Sequence, residues 1–163
     1  MTHPFVPLEG ACTCGRIGYR LEAPPLVVHC CHCTWCQRET GSAFALNAMI
    51  ETSRVTRLAG EPELVPTPSA SGRGQRVFRC PTCRVALWST YPGAGPAILF
   101  VRVGTLRAPH LLAPDIHIFT ATKLPWVTIP DGARAVAEYY NPKDVWPADS
   151  LARFRAARAA AAS

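Results

Sequence analysis

The chain of 163 residues lacks several things, and each absence removes a class of protein. No stretch approaches the ~20 consecutive apolar residues that a membrane-spanning helix needs, so no membrane partner is expected. The opening residues MTHPFVPLEGACTCGRIGY have no cationic start followed by an apolar run, so a secretory leader is not expected and the location reads as cytoplasmic and reducing. No segment recurs at a fixed period and no heptads are sustained, which sets aside solenoids and coiled coils. The 17 Lys and Arg residues are scattered, with no dense basic tail. The net charge of +6 therefore reads as a solvated surface and argues against nucleic acid as the partner.

What is abundant points to strands and metal. Sixteen prolines and 11 glycines favour many short elements joined by turns, while 48% hydrophobic residues suffice for a core, so a mainly β chain is expected. Nothing in the composition divides it. The chain reads as a single domain over residues 1–163, with a core at about 10–130 and a C-terminal extension at 131–163. Eight cysteines in a reducing compartment are metal ligands before they are disulfides.

Period-2 alternation marks the strands. Residues 1–9, with Pro4 and Pro7, read as a loose lead-in. Ile17, Tyr19 and Leu21 form one half-buried face, and Phe44, Leu46, Ala48 and Ile50 form another. Leu26-Val27-Val28-His29 is a short apolar run, residues 55–58 suggest a further strand, and residues 97–103 form the most apolar, hence central, strand. Gln37 to Gly41 suggests a helical turn stopped by the glycine. Residues 60–75 hold Pro62, Pro66 and Pro68 and read as a hairpin tip rather than a lid. Ile116 to Phe119 is a last short strand, and residues 148–162 are a terminal helix with Asp149 or Ser150 as its cap.

The cysteines divide into two sets. Cys12-x-Cys14 and Cys80-x-x-Cys83 lie at turns, and four thiolates close a tetrahedron, so this set is expected to hold a structural zinc that joins distant strands. The stretch Cys30-Cys31-His32-Cys33-Thr34-Trp35-Cys36 is denser than core packing requires. Cys31, Cys33 and Cys36 are expected to hold a second Zn²⁺, at full or partial occupancy. Whether its fourth position stays open for chemistry or is closed by Cys30, His29 or His32 is not decided by spacing. His110 and His117 are offered as acid/base groups, although a histidine between apolar neighbours is more often structural. Lys123 and Trp126 could bring a cation and a ring to a pocket, with core packing favoured for Trp126. Arg38, Arg84 and Lys123 are possible counter-charges for an anionic substrate, with surface solvation favoured for each.

The order Gly10-x-Cys12-x-Cys14-Gly15, Cys31-His32-Cys33-x-x-Cys36, Gly41-Ser42-Ala43-Phe44, Cys80-x-x-Cys83, Gly104-Thr105-Leu106, His117-Ile118-Phe119-Thr120 and Lys123-x-Pro125-Trp126 resembles the glutathione-dependent formaldehyde-activating enzyme family, which also includes centromere protein V. The resemblance implies a β-tent-like fold of antiparallel sheets stapled by zinc, a structural set at Cys12, Cys14, Cys80 and Cys83, and an active-site set at Cys31, Cys33 and Cys36. It implies a carbon-sulfur lyase, S-hydroxymethylglutathione synthase-like, that adds a thiol such as glutathione to formaldehyde or a small aldehyde. Weak candidates for substrate contact are Arg38, His117, Lys123 and Trp126. Three departures stand out: Arg84 where the family usually has glycine, the extra thiol Cys30, and Arg107-Ala108 in place of acidic residues. The alternative is a non-enzymatic, zinc-stabilised binding module for an acidic partner such as nucleic acid.

Overall fold

The computed structural model describes residues 5–162. The described residues form ten strands in two sheets, with a short helix near the second cysteine set and a longer one at the C-terminus. β1 (Leu8–Ala11), β2 (Gly18–Leu21) and β5 (Val55–Ala59) make a three-stranded sheet in the order β1-β2-β5. The larger sheet runs β10-β3-β4-β9-β8-β7-β6 and contains β3 (Val27–Cys31), β4 (Ala45–Glu51), β6 (Glu63–Thr67), β7 (Gln75–Arg79), β8 (Ala86–Thr90), β9 (Ile98–Arg102) and β10 (Ile116–Ile118). Every pairing is antiparallel except β10 with β3, which is parallel. The apolar run at 97–103 is central as read: β9 is the fourth of seven strands, between β4 and β8.

Two buried clusters lie on the two faces of the large sheet. One joins Ile17, Tyr19 and Leu21 of the small sheet to Val28, Ala48, Ile50 and Val101. Gly10 is required there, because a Cβ at this position would meet the Tyr19 ring at 2.3 Å. The other cluster contains Val27, Cys31, Met49, Ile98 and Ile116, with Trp146 laid over them from the C-terminal region. The residues of β4 are therefore almost all buried, on both faces, whereas alternation alone predicted a half-buried strand.

Four readings change. Organisation begins at Leu8 rather than Gly10, since β1 pairs Leu8 with Leu21, while residues 1–4 of the expected lead-in lie outside the described residues. The proline-rich stretch contains the strand β6 with Pro66 inside it. This is tolerated because β6 is the outermost strand of its sheet, where a missing N–H breaks no second ladder. The expected helical turn is α1 (Thr34–Thr40), starting earlier and ending at Gly41 with φ 64°. The terminal helix α2 (Ala148–Ala160) begins after Pro147 with no side-chain cap, so neither Asp149 nor Ser150 serves as one.

Candidate metal centres and cleft

The first cysteine set sits where the two sheets meet. Cys12 follows β1 in the small sheet, and Cys80 and Cys83 occupy the β7–β8 turn in the large one. Sγ of Cys14 lies 3.6 Å from that of Cys12 and 3.7 Å from that of Cys80. Four sulfurs around one zinc at ~2.3 Å would be ~3.8 Å apart, so the donor set fits an ion. The backbone N–H groups of Ile17 and Thr82 donate to the sulfurs of Cys12 and Cys80 at 3.3 and 3.4 Å. The Val85 and Cys14 backbones hold the Cys83 thiol down to about 6, so thiolate character is favoured. The turn needs a left-handed residue after Cys83, and Arg84 takes it at φ 62°. That is the structural reason a glycine suits this position.

The second set is built by a strand running into a helix. β3 carries Cys31 to its end, Cys33 is the residue that caps α1, and Cys36 lies one turn in. The Cys36 N–H donates to the Cys33 Sγ at 3.3 Å. The backbone of the intervening His32 is clamped: its N–H donates to the Ile118 carbonyl at 3.0 Å, and its carbonyl accepts from Gln37 Nε2 at 2.7 Å and Thr122 Oγ1 at 3.1 Å. The sulfurs of Cys31, Cys33 and Cys36 lie within 4.8 Å of one another, and no fourth His, Cys, Asp or Glu of the described residues joins them. Sharing hydrogen with Cys31 and then Cys36 drives the Cys33 thiol far down while Cys31 is pushed up.

A buried cation tests whether this set suits a metal. Arg102 is 7% exposed, donates through Nη1 to Asn47 Oδ1 at 2.5 Å, and has Nε and Nη2 without partners. A buried guanidinium with no carboxylate partner is costly unless an anion lies near. The Cys36 thiol is lowered by Cys31, but Cys33 and burial push it up to about 12 overall, and the Arg102 charge opposes that rise. Three thiolates around a divalent ion carry one net negative charge, which Arg102 balances; three neutral thiols would leave it uncompensated. The residues fit a divalent metal.

The strand pleat settles where Cys30 goes. Cys30 and Cys31 project to opposite faces of β3, and the Cys30 Sγ lies 3.6 Å from His32 Nε2. His117 pairs with Cys30 across the β3–β10 ladder, and its Nδ1 is 3.0 Å from the same His32 nitrogen. Cys30, His32 and His117 form a third group of donors within 4.8 Å. Its geometry favours hydrogen bonding over an ion. The two imidazoles are within 19° of parallel with centres 5.3 Å apart, so with nitrogens 3.0 Å apart they meet edge to edge. A metal on His32 Nε2 would force the proton onto Nδ1, which is buried with no partner, whereas ligating histidines donate their other N–H.

Cys31, Cys33 and Cys36 open onto a cleft of about 730 Å³. His29, on the same face of β3 as Cys31, lines it and is fixed from behind: Trp146 Nε1 donates to Tyr140 Oη at 2.6 Å, and Tyr140 Oη lies 2.6 Å from His29 Nε2. Burial lowers His29 to about 4, so it is neutral. Phe119 lines the cleft from a left-handed backbone, φ 56°, which is strained for a bulky residue and recurs at binding sites. The β6–β7 loop contributes Ser69 and Arg73, so the hairpin tip also leans over the cleft. A second depression of about 800 Å³ beneath that loop has no cysteine or histidine in its lining.

None of the weak candidates for substrate contact lines this cleft. Arg38 is exposed on α1, and His117 belongs to the hydrogen-bonded group behind β3. Lys123 Nζ donates to the carbonyls of Leu124 and Val127 at 3.1 and 2.6 Å. Trp126 is 71% exposed and is not packed in the core. His110 is also exposed, and Arg84 pairs with Glu63. The cleft instead uses His29, Phe119 and residues from Tyr139 to Arg158. Phe119 carries a signal within the His-Ile-Phe-Thr segment. His29 carries one in its place beside the second cysteine set, whereas the residues from Tyr139 to Arg158 have none, because they reach the cleft only through the path of the C-terminal segment.

Two sheets meeting at a four-cysteine set drawn from two turns, with a three-cysteine set opening on a cleft, define a mainly β chain with cysteine clusters that could hold metal. The family described as glutathione-dependent formaldehyde-activating enzyme matches residues 7–122, and the chain belongs to it. A protein of Halomonas elongata named "Putative glutathione-dependent formaldehyde-activating enzyme" is 26% identical over 128 residues, covering 75% of this chain and 80% of that one. A crystal structure of a Rhodobacter sphaeroides protein matches with a TM-score of 0.46 and 21% identity, over 61% of this chain and 87% of that one.

Proposed function

We propose that the chain is a carbon-sulfur lyase that catalyses the reversible addition of a thiol, glutathione or a relative, to formaldehyde or a small aldehyde. Zinc on Cys31, Cys33 and Cys36 would be the chemical centre, and zinc on Cys12, Cys14, Cys80 and Cys83 the structural one. The observation that carries this reading is the incomplete ligand set: three sulfurs facing a cleft, with Cys30 turned to the opposite face of its strand. Family membership supports formaldehyde activation as the chemistry.

A divalent ion held by Cys31, Cys33 and Cys36 would supply a lowered thiol pKa, so that a substrate sulfur would be a thiolate near neutral pH. The chain's own residues do the rest. Arg102, held by Asn47, supplies a buried positive charge felt at Cys36, and the aromatic walls exclude water and keep the thiol and the aldehyde within reach of each other. His29, held by the Tyr140–Trp146 hydrogen-bond chain, is the neutral polar group on the cleft face best placed to hold the carbonyl oxygen or its proton. The thiolate sulfur forms the new bond to the carbonyl carbon, the C=O π bond opens, and the proton lost by the thiol ends on the oxygen.

The binding-module alternative gains no support from the surface. Arg20, Arg57, Arg79, Arg84, Arg107 and Arg153 each face a glutamate, which disperses the basic charge. The test compares Cys33→Ser with Cys80→Ala in the zinc-loaded protein. Cys33→Ser should remain folded by circular dichroism while losing thiol–aldehyde exchange by NMR, and Cys80→Ala should unfold. Exchange at the wild-type rate in folded Cys33→Ser would overturn the assignment.

A further inference from the structure

The family match ends at residue 122, yet the cleft does not. Tyr139, Pro142, Trp146, Phe154 and Arg158 form one of its walls, all from the segment beyond the match. This wall is held firmly. Tyr139 stacks on Tyr140 at 4.9 Å, Trp146 meets Phe154 edge-on at 5.3 Å, and Trp146 is 5% exposed. Arg153 anchors α2 to β4 through both carboxylate oxygens of Glu51. Trp35, Tyr91, Phe100 and Phe119 supply rings from the family-matched part.

The chemistry of this lining describes an occupant. Formaldehyde has two heavy atoms and needs no aromatic wall, and a cleft of about 730 Å³ is within the ~300–1,000 Å³ of sites that enclose drug-sized ligands. Arg73 and Arg158 are the charged side chains in the lining, and no carboxylate lies among them. Arg158 sits 5.6 Å over the Phe154 ring, so one cation flanks an apolar surface. Such a lining rewards an aromatic or bulky apolar body, neutral or with an anionic tail.

Resting on the thiol–aldehyde reading above, we propose that the Tyr139–Arg158 wall is a specificity element selecting an aromatic-sized apolar group on one of the two reactants. The thiol and the aldehyde are both possible bearers of that group, and paired probes distinguish them. Calorimetric titration of the zinc-loaded full chain compares benzyl mercaptan with methanethiol, and phenylacetaldehyde with acetaldehyde. In at least one pair the benzyl compound should bind at least about tenfold more tightly. Tyr139→Ala and Phe154→Ala should each remove most of that ratio. Two substitutions are used because Phe154 also packs on Trp146, whereas Tyr139 is 48% exposed and can be truncated without opening the core.

Ratios within about twofold in both pairs, or a ratio that survives both substitutions, would overturn the proposal. The pair that shows the ratio names the reactant carrying the group. A change in the thiolate-to-metal charge-transfer bands of the cobalt-substituted protein on adding the thiol reports separately on thiol ligation, because the protein's own cysteines already contribute such bands. No change on saturation with thiol would overturn the thiol-at-metal reading, while the calorimetric ratios would still decide the role of the wall.

Discussion

Cys30 and Cys31 are consecutive, yet their sulfurs serve opposite faces of β3: one packs against His32 and His117, the other joins Cys33 and Cys36 at the cleft. The division predicts unequal consequences for the same change. Cys31→Ser should lower the bound metal by about one ion per chain, since three ligands become two. Cys30→Ser should leave the metal content unchanged and cost about 1–2 kcal/mol of stability for a hydroxyl in a buried site. Elemental analysis with thermal unfolding reads both; equal metal loss from the two variants would contradict the division.

Arg102 predicts a long-range effect on metal affinity. Its guanidinium is buried with two nitrogens unpaired, and its charge is felt at Cys36. Arg102→Gln should weaken metal binding at Cys31, Cys33 and Cys36 by about tenfold or more, as an uncompensated negative cluster holds its ion less well. Chelator competition measures this. An unchanged affinity would mean that another charge balances the sulfurs.

The contact of Arg153 with Glu51 predicts acid sensitivity of the C-terminal wall. Burial raises the Glu51 pKa, but the paired guanidinium outweighs it and the net direction is down. A depressed carboxylate pKa contributes stability that is present above the unfolded value and is lost as pH falls through the folded one. Wild-type Tm should therefore decline more steeply below pH ~4.5 than that of Arg153→Met. At pH 7 the variant should be less stable by about 2–4 kcal/mol, because it leaves Glu51 buried and unpaired.

The cysteine clusters and the strands were more legible in the sequence than the cleft, for a physical reason. Cysteines two or three positions apart announce an ion through local geometry, and Ile17, Tyr19 and Leu21 announce a buried face through a period of two. Cys30 could not be placed from spacing alone, because its direction depends on β3 continuing as a strand through Cys31. Trp126 misled because an aromatic ring usually packs inward, yet its loop is tied down instead by Lys123 and leaves the ring in water. The wall from Tyr139 to Arg158 has no periodic signature. It exists because Trp146 and α2 cover a face of β4 that alternation had left to solvent.

Trp126 supplies a prediction in the opposite sense. With 71% of the ring exposed, Trp126→Ala should change stability by no more than about 0.5 kcal/mol and should leave thiol binding intact. Thermal unfolding and calorimetry check this. A loss of several kcal/mol would place the ring in a core, contrary to the structure.

X-ray absorption at the zinc edge, with elemental analysis, distinguishes one complete and one open cysteine set from two closed ones. Two ions per chain are expected, with an average first shell of about three and a half sulfurs and half a lighter, exchangeable atom, rising toward four sulfurs when a thiol is added. Three ions per chain, or four protein sulfurs on both ions before any thiol is added, would contradict it.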